Sequence, residues 1–435
     1  MSKPRRKIPL RRRLVFTAIA VSLGWLIAEG LAWCGMSVAY ENFSFASWHR
    51  QRESLQRGTT VSDGAAEVIH PYLGWAFSPT VAEPVQLGDR SISINGLGFA
   101  DEHDSVVRRR DDQFILGIAG GSVAWQVSVD GEELIREMLE ASPLLRSRKV
   151  RIVRMAMSGY KQPQQVMTLN YLMSLGGEFD AVINIDGYNE TALAIAENAR
   201  VDVSIAYPRS WNGRTVTIAD PRESAATAEL IALRGQRQSM AKSMNGSIMR
   251  FSPVANLIWR LRDTSCRTGL RDLAGKLVRT ERSVEDRSFA SFGPYTKYAS
   301  DQELDDAIIA LWKRSSLLMQ HVCDGHGAAY VHMLQANQYH EGSKPMSSQE
   351  REDSIAPFQR AGLAAKRLYP QLVKTGPSFA ADGIRFSDQT MIFSQINDPI
   401  YVDGWCHYNA RGNRLMAKAA CDELLKELAE QAAPR

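Results

Sequence analysis

Acidic side chains are missing where basic ones crowd: the first thirteen positions hold seven lysines and arginines and no aspartate or glutamate. The formal net charge of +4 belongs to that segment. Removing those seven from 52 basic residues leaves 45 against 48 acidic ones, a net −3 for the rest of the chain. The rest therefore lacks the basic excess of a nucleic-acid binder, and no nucleic-acid partner is expected. Cysteine is scarce as well, with five in 435 residues and no C-x-x-C pair. With the eight histidines scattered, a zinc site has little support, and no metal or cofactor is expected. Internal repeats and low-complexity tracts are absent, which excludes solenoid and linker architectures.

Long apolar runs are lacking too, with one exception. Leu14 to Tyr40 is almost wholly apolar, with Glu29 as its only charge. At helical rise, 27 residues exceed the roughly 30 Å of a bilayer core. The basic cluster before the run predicts a cytoplasmic N-terminus and an outward-facing remainder, hence a single-pass inner-membrane protein with a periplasmic or outer body. Glu29 is costly at mid-membrane, which places it towards the outer interface or against a partner helix. Ser37-Val38-Ala39 resembles a signal-peptidase site, but the run exceeds an ordinary signal core of about 7–15 residues, so an uncleaved anchor is expected. A lipoprotein cleavage before Cys34 is disfavoured by bulky Trp33. In an oxidising compartment Cys266, Cys323, Cys406 and Cys421 could pair in any of three ways.

Beyond a polar stalk at 41–62, short runs with turn signals follow, and Ser91–Ile94 before Asn95-Gly96 reads as a strand and tight turn. Residues 41–110 are thus expected to form a stalk and an antiparallel prelude. From 111 the pattern becomes strand and helix in alternation. Strands are predicted at Phe114–Ala119, Arg151–Ala156, Ala181–Asp186, Ala328–Leu334 and Pro399–Val402. Helices are predicted at Gly131–Glu140, Gln162–Leu175, about Ser354–Leu368, and in a final stretch carrying Leu415, Met416, Leu424 and Leu428. Ser300-Asp301-Gln302-Glu303 is a capping-box pattern opening a further long helix. That succession predicts an α/β domain over 111–435 with a mainly parallel sheet. A long insertion interrupts it over about 194–300, with helical patterns near Glu223–Ala241 and Ser252–Arg262. Its aromatics, in YPRSWNG and SFGPYTKY, could stack on sugars, although filling the insertion's own core is the commoner use.

Chemistry gathers at the strand ends. Ser122 follows the first predicted strand in a glycine turn, Gly159 the second, Asn189 the third and His407 the last. Parallel strands share one carboxyl edge, so these four residues can converge in one crevice. Each alone has an ordinary explanation as a cap, turn or packing residue; their joint order is harder to explain that way. A serine hydroxyl needs a base to take its proton, and neutral imidazole is the common one. The backbone N–H groups of Ser122 and Gly159, with the Asn189 amide, would supply three donors to an oxyanion.

In this order the blocks GGSVA, MSGY, GYNE and DGWCHYNARGN resemble the SGNH (GDSL-type) hydrolase superfamily, named for a Ser, Gly, Asn and His in four successive blocks. The resemblance spans Phe114 to about Cys421, apart from the insertion. It implies a flavodoxin-like three-layer α/β/α fold and ester hydrolysis, or acyl transfer, by a Ser-His-Asp triad. The earlier pattern HPYLGW…INGLGF is similar to membrane-anchored bacterial members from surface-polysaccharide contexts, which implies an O-acylated carbohydrate as the ester. Three departures stand out. Gly121 replaces the aspartate of Gly-Asp-Ser, and Glu190 follows Asn189 where aspartate is common. Asp403 lies four residues before His407 instead of three, so Asp403 could reach the imidazole only through a bulge at Gly404, and Asp398 is the second choice. His332 and His340 are fallback bases. An acyltransferase using the same residues, or a non-catalytic polysaccharide-binding protein on a degenerate scaffold, are the alternatives.

Overall fold

In the computed structural model, residues 9–40, 44–56, 67–80, 84–215, 224–279, 289–294, 296–356 and 359–433 are described. They fall into two compact units. One comprises Met1–Ser62 with Thr217–Thr280, the other Asp63–Val216 with Glu281–Arg435.

The first unit is helical. Leu10–Ala39 is one continuous helix, long and apolar enough to cross a membrane, and its most apolar stretch exposes its side chains. Phe45–Gln56, Ser224–Asn245 and Pro253–Arg279 are the other long helices of this unit. Met36, Trp48, Ala241 and Trp259 share a small core. Glu29 does meet a partner helix: it accepts from Ser252 Oγ at 2.5 Å and from the Val254 backbone N–H at 2.9 Å. A carboxylate is well placed at a helix start, where backbone N–H groups lack intrahelical acceptors. The insertion is thus divided, since residues 217–280 group with the anchor helix and its flanks do not.

The second unit is built on five parallel strands. β1 (Glu67–His70) pairs with β2 (Gly74–Phe77), and β3 (Val85–Leu87) with β4 (Arg90–Ile92), as two small antiparallel ribbons. The expected turn forms at Asn95, whose Oδ1 accepts from the N–H groups of Leu97 and Phe99. Trp75, Phe77 and Phe99 from this prelude join the main core. The large sheet contains β5 (Gln113–Gly120), β6 (Lys149–Arg154), β7 (Ala181–Asp186), β8 (Ala329–Leu334) and β9 (Arg385–Asp388) in the order β6-β5-β7-β8-β9. β7 and β8 are buried at every position, as central strands of a covered parallel sheet are, and they bury Asn184, Asp186 and His332 along with their apolar residues. Helices Ser122–Asp130, Glu132–Glu140, Gln164–Ser174, Asp301–Gly325, Arg360–Thr375 and Ala410–Ala432 flank the sheet. Half of the capping box forms, with Ser300 Oγ accepting from the Glu303 N–H, while Glu303 Oε2 reaches one residue further back to the Ala299 N–H.

Two expectations need correction. Pro399–Val402 is not a strand of the sheet. Pro399 has no N–H to give, and the N–H groups of Ile400 and Tyr401 go to Glu350 Oε1 at 2.8 and 2.9 Å instead of to a neighbouring strand. Only an isolated bridge, Tyr401 with Tyr408, remains there. The fifth strand is β9, whose sequence Arg-Phe-Ser-Asp carries no apolar run to announce it. The helix expected over Ser354–Leu368 is likewise two, Ser348–Ser354 and Arg360–Thr375, with residues 357 and 358 outside the described set.

The order of the strands fixes where a site can lie. From β5 the chain moves outward to β6, then returns across β5 to β7. Such a reversal opens a crevice between the carboxyl ends of β5 and β7. Ser122 and Asn189 follow those two ends.

Candidate active site

Gly120 and Gly121 shape the turn after β5. Gly120 takes φ +140°, a conformation that L side chains rarely adopt, and a Cβ there would overlap the Ile185 carbonyl oxygen. A Cβ on Gly121 would overlap Asn189 Nδ2. Glycine at 121 lets the Asn189 amide approach the serine turn. Ser122 is the first residue of its helix, with Gly121 as cap, and its side chain makes no cap bond. Its hydroxyl instead meets His407 Nε2 at 2.7 Å.

His407 Nδ1 in turn lies 2.6 Å from Asp403 Oδ2. Ser122, His407 and Asp403 are all partly accessible to solvent. Asp403 Oδ1 accepts from the backbone N–H of Trp405 at 2.8 Å and of His407 at 3.4 Å. Burial alone would raise this carboxyl's pKa, but the bond to His407, the imidazole's charge and those two N–H groups outweigh it. The net shift is downward, so Asp403 is an ionised acceptor. The four-residue spacing is accommodated around Gly404. Its carbonyl accepts from Tyr339 Oη at 2.9 Å and Tyr188 Oη at 3.2 Å, and Gln338 Nε2 donates to the Asp403 carbonyl at 2.9 Å. Burial pushes both phenols up, Tyr339 to about 12, which keeps them as donors. Cys406, at φ +66°, completes the turn that brings His407 back over Asp403.

Asp398 is not the acid, because it pairs with Arg411 at the surface. His332 is not the base. It is fully buried between Asp186 Oδ1 and Ser316 Oγ, each at 2.8 Å. No contact links His340 to Ser122 or Asp403 among the described residues; its ring lies 6.1 Å from that of Tyr369. His407 does not follow a sheet strand as expected; it stands on the Tyr401–Tyr408 bridge before the last helix.

Asn189 is the second residue of the short helix Tyr188–Leu193 after β7. Its Nδ2 donates to the Tyr160 carbonyl at 2.8 Å, which leaves a second amide hydrogen for another acceptor. Gly159, at φ +79°, turns the chain after β6 beside Tyr160. Glu190 joins these two loops. Its Oε2 accepts from the Gly187 N–H at 2.7 Å, and its Oε1 from the Gln162 N–H at 3.0 Å and Gln165 Nε2 at 2.9 Å. Burial, then the nearby Asp186, lifts its pKa to about 8. The longer acid of this block spans from its own turn to the neighbouring loop.

Tyr188, Gln338, Tyr339 and the bracing role of Glu190 were not anticipated from sequence. Tyr188 adjoins Asn189 and Glu190 ends the same block, so their position was a usable signal; nothing in the sequence marks Gln338 or Tyr339. All five cysteines carry free thiols, and the four outside the first helix are buried. No known protein-family model matches the chain. No curated protein sequence matches it either.

Proposed function

We propose that the chain is an extracytoplasmic serine ester hydrolase of the SGNH (GDSL-type) kind, with the flavodoxin-like layering of that superfamily. The observation that carries this reading is the continuous chain of short contacts from Ser122 Oγ through both nitrogens of His407 to Asp403. In this reading His407 Nε2 takes the Ser122 proton as Oγ attacks the ester carbonyl. The resulting oxyanion is met by the N–H groups of Ser122 and Gly159 and the free hydrogen of Asn189 Nδ2. Collapse expels the alcohol, which leaves with the proton held on Nε2, and Ser122 carries the acyl group. A water then gives its proton to Nε2 and its oxygen to the carbonyl, and the acid departs as Ser122 recovers its proton. Asp403 holds the imidazole in the tautomer that accepts at Nε2.

The apolar Leu10–Ala39 helix supports a membrane anchor, and its basic N-terminal flank supports a cytoplasmic start with the remainder in the periplasm or outside. The ester is assigned as an O-acyl group, acetyl in the simplest case, on a surface polysaccharide. The test is hydrolysis of p-nitrophenyl acetate by the full chain in detergent, compared with Ser122→Ala and His407→Ala. Loss of about 10³-fold or more in kcat/KM is expected in both. Undiminished turnover in either variant would refute the assignment.

A further inference from the structure

The segment Ser204–Thr215, after the Asn189 helix, is held with unusual thoroughness. Asn198, wholly buried, donates its Nδ2 to the carbonyls of Ser204, Tyr207 and Pro208 at 3.0, 3.1 and 3.2 Å. Lys161, two residues after Gly159 and also buried, donates its Nζ to the carbonyls of Ile205 and Tyr207. Burial lowers that ammonium to about 8, against the opposing pull of Glu190 and Glu197. A buried ammonium is costly unless it is hydrogen-bonded, so these carbonyl contacts tie the loop firmly to Lys161.

What this scaffold presents is Arg209. Its guanidinium lies against Gly159, where Nη1 would stand 2.7 Å from a Cβ on that glycine. Glu197 Oε2 takes its Nε–H at 3.0 Å and also accepts from Ser210 Oγ at 2.7 Å. The carboxylate thus fixes the guanidinium beside the Gly159 turn. The neighbours of Arg209 in the chain, residues 206–208 and Trp211, face Tyr72, Gln164 and Met167 across a cavity of about 210 Å³, room for a single ring. Tyr72 is 71% exposed and stacks on Tyr171 at 5.7 Å. Aromatic side chains and a planar cation carried on one firmly held segment suit a ring that bears a carboxylate.

We propose that Arg209 is the specificity-determining residue of this site, and that the preferred substrate is an ester borne on an acidic sugar whose carboxylate pairs with Arg209. This rests on the serine-hydrolase reading above. Arg209 leaves the chemical step to Ser122, His407 and Asp403, and acts on substrate binding through a bidentate carboxylate contact.

The test compares acetate release from O-acetylated oligogalacturonate and from O-acetylated xylo-oligosaccharide, using the full chain in detergent. The wild type is expected to favour the uronide by about tenfold or more in kcat/KM, chiefly through KM. Arg209→Met should reduce that ratio about tenfold, and Arg209→Lys should restore part of it. A wild-type ratio near one, or a ratio unchanged in Arg209→Met at an unaltered melting temperature, would overturn the proposal. Binding of unacetylated oligogalacturonate to the Ser122→Ala protein gives a second readout, independent of turnover. It should weaken about tenfold when Arg209→Met is added, and equal binding would overturn the proposal as well. Acetate release that persists in Ser122→Ala would instead refute the serine-hydrolase reading.

Discussion

Replacing Asp403 by asparagine should damage catalysis more than deleting the side chain. Asp403 Oδ1 receives the backbone N–H groups of Trp405 and His407, while Oδ2 faces His407 Nδ1. An asparagine must keep its carbonyl oxygen towards the two backbone donors, so its NH2 group is forced against Nδ1. Nδ1 then has to be the acceptor, the ring proton moves to Nε2, and Nε2 can no longer take the proton of Ser122. Asp403→Ala removes a charge-assisted bond of about 1.5–3 kcal/mol, or about 10- to 150-fold in kcat, but leaves the tautomer free. Asp403→Asn adds the wrong tautomer, for which losses of about 10⁴-fold are the expected scale. Steady-state hydrolysis of p-nitrophenyl acetate by both variants, alongside their melting curves, makes the comparison. An asparagine variant as active as the alanine variant, at equal stability, would refute the assigned hydrogen-bond geometry.

Other consequences follow from the surroundings of the site. Gly121→Ala places a methyl group on Asn189 Nδ2, so kcat should fall by about 10²-fold, towards the cost of losing one oxyanion donor, with KM little changed. The double variant Tyr188→Phe and Tyr339→Phe frees the Gly404 carbonyl; it should lower kcat several-fold and broaden the His407 ring signals in NMR spectra, while either single variant does less. Glu190 carries a folded-state pKa near 8, above the roughly 4.3 of an unfolded glutamate. The folded chain therefore binds more protons in that window, and its stability should fall as pH rises from about 4 to 8. Glu190→Gln should flatten that dependence in thermal melts across the range; an identical pH profile would argue against the buried acid's role.

Much of the second unit was legible because apolar runs and glycine turns announce buried parallel strands: Ala181–Asp186 agrees at both ends, and β5, β6 and β8 differ by a residue or two. Legibility failed where tertiary contacts replaced the ladder. Pro399–Val402 reads as a strand from its side chains, yet the N–H groups of Ile400 and Tyr401 are taken by Glu350, which is far away in sequence, and that of Val402 by the His407 carbonyl. β9 is short and polar, and is held at the sheet edge partly by Arg385, which pairs with Glu427 on the last helix. The helix starting at Ser122 was missed because Ser-Val-Ala-Trp-Gln-Val-Ser-Val has weak helical propensity, and burial of Val123, Val127 and Val129 overrides it. At the site, Ser122, His407 and Asp403 stand within hydrogen-bonding distance of one another in turn, across a four-residue spacing that runs around Gly404. The tyrosine and glutamine contacts that hold Gly404 in place join residues about 65 to 216 positions apart, which no local pattern reveals. Nor could composition show that residues 217–280 group with the anchor helix.

The most direct test of an activated serine is covalent. Full-length protein in detergent, treated with a fluorophosphonate and digested for mass spectrometry, should carry the phosphonyl adduct on Ser122. The adduct should disappear in His407→Ala, which keeps the nucleophile but removes its base. Folded wild-type protein that stays unlabelled, or an adduct on a different serine, would contradict the assignment of Ser122 as a nucleophile.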